Sequence, residues 1–185
     1  MSAANTASRG FTLPELLTTL AVTGMALSLA VPSLNNVIAG QRRASAVNSL
    51  VGTLNVARSS AMTRNEPVTI CPSTDGATCT GTPWEQGWLV FANPARQLEP
   101  SADRLLASEN GLPAPVQVKS VEFARALTYQ PNGQPVSGRG ANESGAFWFC
   151  EAASGSAVRG LWINATGKPQ LVDRQANGHP FQCSN

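Results

Sequence analysis

An almost unbroken apolar run from Leu16 to Ile38 dominates the first quarter of the chain. As a helix it rises roughly 34 Å, enough to cross a bilayer core with slight tilt. It holds no Lys, Arg, Asp or Glu, but Thr18, Thr19, Thr23, Ser28, Ser33, Asn35 and Asn36 make it more polar than a committed anchor needs. From Asn35 to Arg64 the pattern becomes amphipathic. Val47, Leu50, Val51, Leu54, Ala57 and Ala61 recur at helical spacing, and Gln41, Arg42, Arg43, Asn48 and Asn55 fill much of the remaining surface. Apart from Pro32 no strong breaker separates the two stretches. The pattern therefore predicts one helix over about 12–64, stopped by Glu66-Pro67.

Short β-like runs follow: Val68–Cys71, Gly87–Asn93, Val116–Phe123, Ala146–Glu151, Gly160–Asn164 and Gln170–Val172. Turn residues separate them, among them Thr74-Asp75-Gly76, Pro131-Asn132-Gly133 and Ala165-Thr166-Gly167. Residues 94–115 read as an extended loop, and no internal repeat is visible. Strands after a single long helix predict an α+β fold, with an antiparallel sheet wrapped on the second half of the helix.

The residues ahead of the apolar run are Arg9-Gly10-Phe11-Thr12-Leu13-Pro14-Glu15. They place a short polar leader, a Gly-Phe junction and one carboxylate at the mouth of a membrane-length segment. An unpaired charge costs roughly 2–3 kcal/mol if carried to the bilayer centre. A cut between Gly10 and Phe11 would create an α-amino group within reach of Glu15 on the first helical turn. The helix macrodipole also favours a carboxylate at that end.

Gly10, Phe11, Thr12, Leu13 and Glu15 resemble the class III signal of type IV pilins and pseudopilins. The resemblance implies that a prepilin peptidase cuts after Gly10 and methylates Phe11. It also implies that Glu15 guides subunit insertion by pairing with a neighbour's N-terminus. Pro14 departs from the aliphatic residue usual there, but in a first turn it lacks only an amide hydrogen that has no partner. Gly24 and Pro32 fall where pilin helices often carry a helix-weakening Gly and a kinking Pro. A secretory signal peptide cut at Ala39-Gly40 is the competing reading; it has no basic n-region beyond Arg9 and leaves Glu15 without a role. Arg9 on one side and Arg42 and Arg43 on the other leave orientation to the resemblance. The resulting division is a leader at 1–10, a transmembrane and assembly helix at 11–38, and a periplasmic domain at 39–185. The chain would sit in the bacterial inner membrane as a single-pass protein until it enters a pilus or pseudopilus.

Composition narrows the picture further. The formal net charge of +2 gives no general attraction to nucleic acid or acidic lipid. Charged residues make up only 13%, with 16 Gly and 13 Pro, which suits a turn-rich β domain better than a helical enzyme. All four cysteines, Cys71, Cys79, Cys150 and Cys183, lie beyond the apolar run. None forms a Cys-x-x-Cys pair and His179 is the only histidine, so a zinc site has little support. An even count in a chain that leaves the cytoplasm favours disulfides. Of three connectivities, Cys71–Cys79 with Cys150–Cys183 is favoured, since the first closes a small loop and the second staples the tail to a strand. Free thiols are the alternative.

Later segments refine the resemblance. Ala57-Arg58-Ser59-Ser60-Ala61, Pro67-Val68-Thr69-Ile70-Cys71 and Trp84 to Phe91 resemble the GspH/FimT group of minor pilins and pseudopilins. So do Tyr129-Gln130-Pro131-Asn132-Gly133, Phe147-Trp148-Phe149-Cys150 and Asn164-Ala165-Thr166-Gly167-Lys168. The resemblance implies a pilin-like fold and a place among other pilins in a type IV pilus, at initiation or at the tip. A GspH-type pseudopilin of the type II secretion system is the alternative.

Enzyme chemistry lacks parts: one histidine without an acid–base partner, and no phosphate-binding or dinucleotide fingerprint. No catalytic residue, metal or cofactor is expected. Some FimT-like minor pilins are associated with DNA capture in natural transformation through a Gly-Arg-x-Arg-like element. Here that stretch reads Gly167-Lys168-Pro169-Gln170, which keeps one point charge and loses the guanidinium fork. Arg159, Lys168 and Arg174 are the candidate DNA contacts, with His179 nearby in sequence and Asp173 offsetting Arg174. Trp84, Trp88, Trp148 and Trp162 could stack bases, but tryptophans in β runs read first as core.

Overall fold

A computed structural model describes residues 12–138, 144–151, 157–175 and 177–183; side chains at 27, 29–36, 151, 157 and 158 lie outside that description. The chain divides into two units after Gln41. One helix, α1, spans Leu13–Arg64. Its start follows a capping-box spacing, with Thr12 ahead of the helix and Glu15 three residues on. The Thr12 amide donates to the Glu15 carboxylate at 3.5 Å. Its end is a Schellman turn. Asn65 takes the left-handed conformation at φ 54°, and the Glu66 amide reaches back to the Ala61 carbonyl at 3.3 Å.

In the second unit α1 buries Ala46, Val47, Leu50, Leu54, Ala57 and Ala61, with Val51 half-buried beside them. Among the described residues nine strands follow: β1 Val68–Pro72, β2 Gly87–Ala92, β3 Leu105–Asn110, β4 Val116–Ser120, β5 Leu127–Tyr129, β6 Pro135–Ser137, β7 Gly145–Glu151, β8 Ala157–Ile163 and β9 Pro169–Val172. They form two antiparallel sheets where the sequence suggested one, in the orders β3-β2-β1-β5-β6 and β4-β7-β8-β9. Alternation aims Val68, Ile70, Val90, Leu127 and Tyr129 of the first sheet into the same core as Val116, Val118, Phe147, Phe149, Leu161 and Ile163 of the second. Trp84 and Trp88 complete this core. Their ring nitrogens donate to the Phe123 carbonyl and the Thr53 hydroxyl, each at 3.0 Å, so neither indole is buried unpaired.

The first sheet is covered on its other face as well. Cys71, Leu89, Phe91 and Ala126 form a second cluster there, with Leu98 and Leu105 packed on it. This corrects the expectation of an irregular loop at 94–115: a 3₁₀ turn at Ala102–Arg104 leads into β3, which pairs with β2. β3 carries Leu-Leu-Ala-Ser-Glu-Asn at a mostly exposed edge, so its composition does not announce a strand. β5 and β6, three residues each, were also missed; Pro135 opens β6 at the sheet's edge, where no ladder amide is required.

The second sheet begins at β4, whose open side meets the 3₁₀ turn Trp84–Gln86. There the Glu85 carboxylate accepts the Val118 amide at 3.1 Å.

Candidate assembly interface

In the first unit, α1 exposes its described large apolar side chains. Leu13 is 73% exposed, Met25 71% and Val22 67%, and Leu16, Leu17 and Leu20 are also exposed. The described hydroxyls from Thr18 to Ser28 do not oppose that character, because each donates to a carbonyl of its own helix. Thr18 bonds Glu15, Thr19 bonds Leu16, Thr23 bonds Thr19 and Ser28 bonds Met25, at 2.7–3.0 Å. A polar group satisfied within its own helix costs far less in an apolar setting than an orphaned one. Among the described residues, nevertheless, no helix is long and apolar enough to cross a membrane. Gly10 and Phe11 lie outside the described residues. Glu15 is exposed, with its carboxylate turned back onto the Thr12 amide.

In the second unit, three of the sequence's recognisable motifs converge on Arg58. Its guanidinium donates to the Gly133 carbonyl at 3.2 Å and to the Thr166 carbonyl at 3.1 and 3.3 Å. Beside it the buried Tyr129 hydroxyl donates to the Gly167 carbonyl at 3.1 Å. The helix, the Pro131-Asn132-Gly133 turn of the first sheet and the Ala165-Thr166-Gly167 turn of the second are thus tied together. Gly133 and Gly167 take positive φ of 78° and 79°. A Cβ on Gly167 would strike the Gly133 carbonyl and approach the Tyr129 ring at 2.9 Å. Burial pushes the Tyr129 phenol far above its usual range, against a smaller opposing pull from the Arg58 charge. Sequence reasoning quoted Arg58 and Tyr129 within motifs but gave neither a role. The signal was there in the two Asn/Thr-Gly turns, which need partners for their carbonyls.

Cys71 is bonded to Cys79 and Cys150 to Cys183. The first closes a loop organised by Asp75, which accepts from Ser73 Oγ, the Ala77 and Thr78 amides and Thr78 Oγ1. Those hydrogen bonds, the Thr78 hydroxyl foremost, hold the Asp75 carboxyl well below the usual range. The second fastens the tail over β7 and β8. Trp148 donates its ring N–H to the Gln182 carbonyl at 3.1 Å and stacks on Phe181 at 5.8 Å, while Phe181 fills the space over Gly160. Trp84 and Trp88 are core, whereas Trp148 and Trp162 are only half-buried, on the outer face of the second sheet. That face is where the tail lies, so alternation in β7 and β8 turns both rings away from the core.

Of the candidate DNA contacts, Lys168 lies apart from Arg159 and Arg174 along the β8–β9 hairpin. Gly160 pairs with Val172 and Ile163 with Pro169. Arg159 and Arg174 therefore lie toward the open end of the β8–β9 hairpin and Lys168 in its turn, roughly 13–17 Å away at strand rise. Arg174 is bonded to the Gly178 carbonyl, and Gly167 is held by Tyr129. No three of His, Cys, Asp and Glu converge among the described residues in a way that could hold a metal ion.

Comparison with known proteins agrees with this architecture. The family model of type II transport protein GspH matches residues 46–167, well over half of the chain. Two crystal forms of the Pseudomonas aeruginosa (strain PAO1) type IV minor pilin FimU share the fold. The P21 form is 23% identical, with 78% of this chain and 96% of that one covered and a TM-score of 0.57. The P65 form is 22% identical, with 76% and 98% covered and a TM-score of 0.55. The Vibrio cholerae type 2 secretion system minor pseudopilin EpsH, at 10% identity, 71% and 96% coverage and a TM-score of 0.46, adds nothing to the assignment. No curated protein matches. A GspH match running from the buried helix face through the first sheet, β4, β7 and β8 to both glycine turns, on a minor-pilin fold, places this chain in the GspH family.

Proposed function

We propose that the chain is a minor pilin or pseudopilin subunit that enters a fibre through the first half of α1 and presents its β domain at or near the tip. The observation that carries this reading is the charge-free stretch after Glu15, apolar outside and hydrogen-bonded within. Such a surface has no stable place in water, and lipid or the helices of other pilins would cover it. In this account a prepilin peptidase removes residues 1–10 and methylates Phe11. The segment 11–38 then holds the subunit in the inner membrane, with residues 39–185 in the periplasm, until assembly. Glu15 exchanges its contact with the Thr12 amide for the N-terminus of a neighbouring subunit.

The pilus reading is supported by the likeness to FimU and the secretion reading by the family's description as a type II transport protein; we favour the pilus. DNA uptake gains no support from the separated cations.

Two measurements test the proposal. Co-expression with a prepilin peptidase should yield a mature chain beginning at methylated Phe11; an intact Met1 or a start near Gln41 would overturn it. The chain should then appear in sheared pili, whereas loss of protein export with normal pili would move it to the secretion system.

A further inference from the structure

A cavity of about 510 Å³ opens on the outer face of the first sheet, between the 93–98 turn and the β5–β6 hairpin. It is lined by Arg96, Gln130, Asn132 and Gln134 on its polar side and by Leu98 and Val136 on its apolar side. No Asp or Glu is among the described lining residues.

The hydrogen bonds around it fix which way each amide faces. The Gln97 amide donates to Asn93 Oδ1 at 2.9 Å, so Asn93 Nδ2 must donate, and it does so to Thr69 at 2.8 Å. The Gln134 amide donates to Asn132 Oδ1 at 3.0 Å, so Asn132 Nδ2 is a donor, and it meets Gln134 Oε1 at 3.0 Å. Arg96 can only donate, so Gln130 presents Oε1 to it at 3.0 Å. Each side-chain amide oxygen of these four residues therefore already accepts one hydrogen bond. Among the described lining side chains, donors remain at Nε2 of Gln130, Nε2 of Gln134 and the other guanidinium N–H groups of Arg96.

Arg96 reaches this position through a left-handed backbone, φ 56°, that L side chains rarely adopt. The turn is held by its own amide donating to the Asn93 carbonyl at 3.1 Å and by the buried Asn93 side chain. An unusual conformation so fixed fits a positioned cation better than a free surface arginine.

We propose that this cavity binds a small organic carboxylate. Arg96 would take the carboxylate, the Gln130 and Gln134 amides would donate to its other oxygens, and Leu98 and Val136 would meet its carbon body. The volume suits a sugar acid, either free or as one unit of an acidic polysaccharide.

The test is ligand-observed saturation-transfer NMR on the full chain in detergent micelles, with galacturonate, a galacturonate oligomer, neutral galactose and inorganic phosphate as probes. Galacturonate should show transfer at millimolar concentration while galactose shows none. A stronger oligomer signal would assign the site to polymer, an equal or weaker one to the free acid. Arg96→Gln should weaken binding at least tenfold. Gln130→Glu, which can still accept from Arg96 but places a negative charge in the cavity, should abolish it. No transfer from either galacturonate probe, equal transfer from galactose or phosphate, or indifference to both substitutions would overturn the proposal.

Discussion

Tyr129 and Gly167, 38 positions apart, are joined by a buried hydrogen bond of 3.1 Å from the phenol to the glycine carbonyl. Tyr129 is also the only tyrosine in the chain, so no other phenol contributes to its ionisation signal. Its pKa is raised in the folded state by burial. Below the unfolded value of about 10 both states hold the proton and stability is unaffected. Above it the unfolded chain loses the proton first, so stability falls as pH rises, by up to about 1.4 kcal/mol per pH unit. Absorbance at 295 nm should show tyrosinate only together with unfolding. A reversible native titration near pH 10 would refute the buried bond.

Gly167→Ala should be among the most destabilising changes available in a turn. It forces a side chain into positive φ and against the Gly133 carbonyl. The strain and the crowding together should cost roughly 2–4 kcal/mol, read as a fall in the urea midpoint. Gly178, also at positive φ but with open space around it, should tolerate Ala at about 1–2 kcal/mol. Equal costs at the two sites would mean that the turn-to-turn contact contributes nothing.

The two disulfides should differ in worth. Their sequence separations of 8 and 33 imply stabilisation of about 2.5 and 3.7 kcal/mol from loop closure in the unfolded chain. Cys183→Ser should therefore lower the midpoint more than Cys79→Ser. It should also free the tail from Trp148, giving a red-shifted emission component that Cys79→Ser lacks.

Glu15→Gln separates capping from assembly. The amide still accepts from Thr12, so helix content by circular dichroism should be unchanged. Recovery in a sheared fibre fraction should fall at least tenfold, because the charge that would meet a neighbour's N-terminus is gone. Normal incorporation would detach Glu15 from the assembly step.

What could be read in advance follows from range of interaction. The long helix and its buried face were legible because Leu50, Leu54, Ala57 and Ala61 repeat at helical spacing, and β1 and β2 because Val68–Pro72 and Gly87–Ala92 are short β-rich runs buried along their whole length. β3 was not legible, since Leu105–Asn110 becomes a strand only by lying against β2. The split into two sheets was equally hidden, because alternation says which face is buried and not which strand is the neighbour. Arg58 illustrates the limit for sites. Its partners lie 75 and 108 positions away, and only the folded chain puts three carbonyl-bearing segments within one guanidinium's reach.

Glu85 holds the Val118 amide on the open side of β4. An unguarded strand border invites a strand of any neighbouring β domain to pair with it, sheet to sheet. A carboxylate seated on that border leaves an incoming backbone one donor short and meets it with a negative charge. A neighbouring β domain could then be held against this one while each kept its own separate fold.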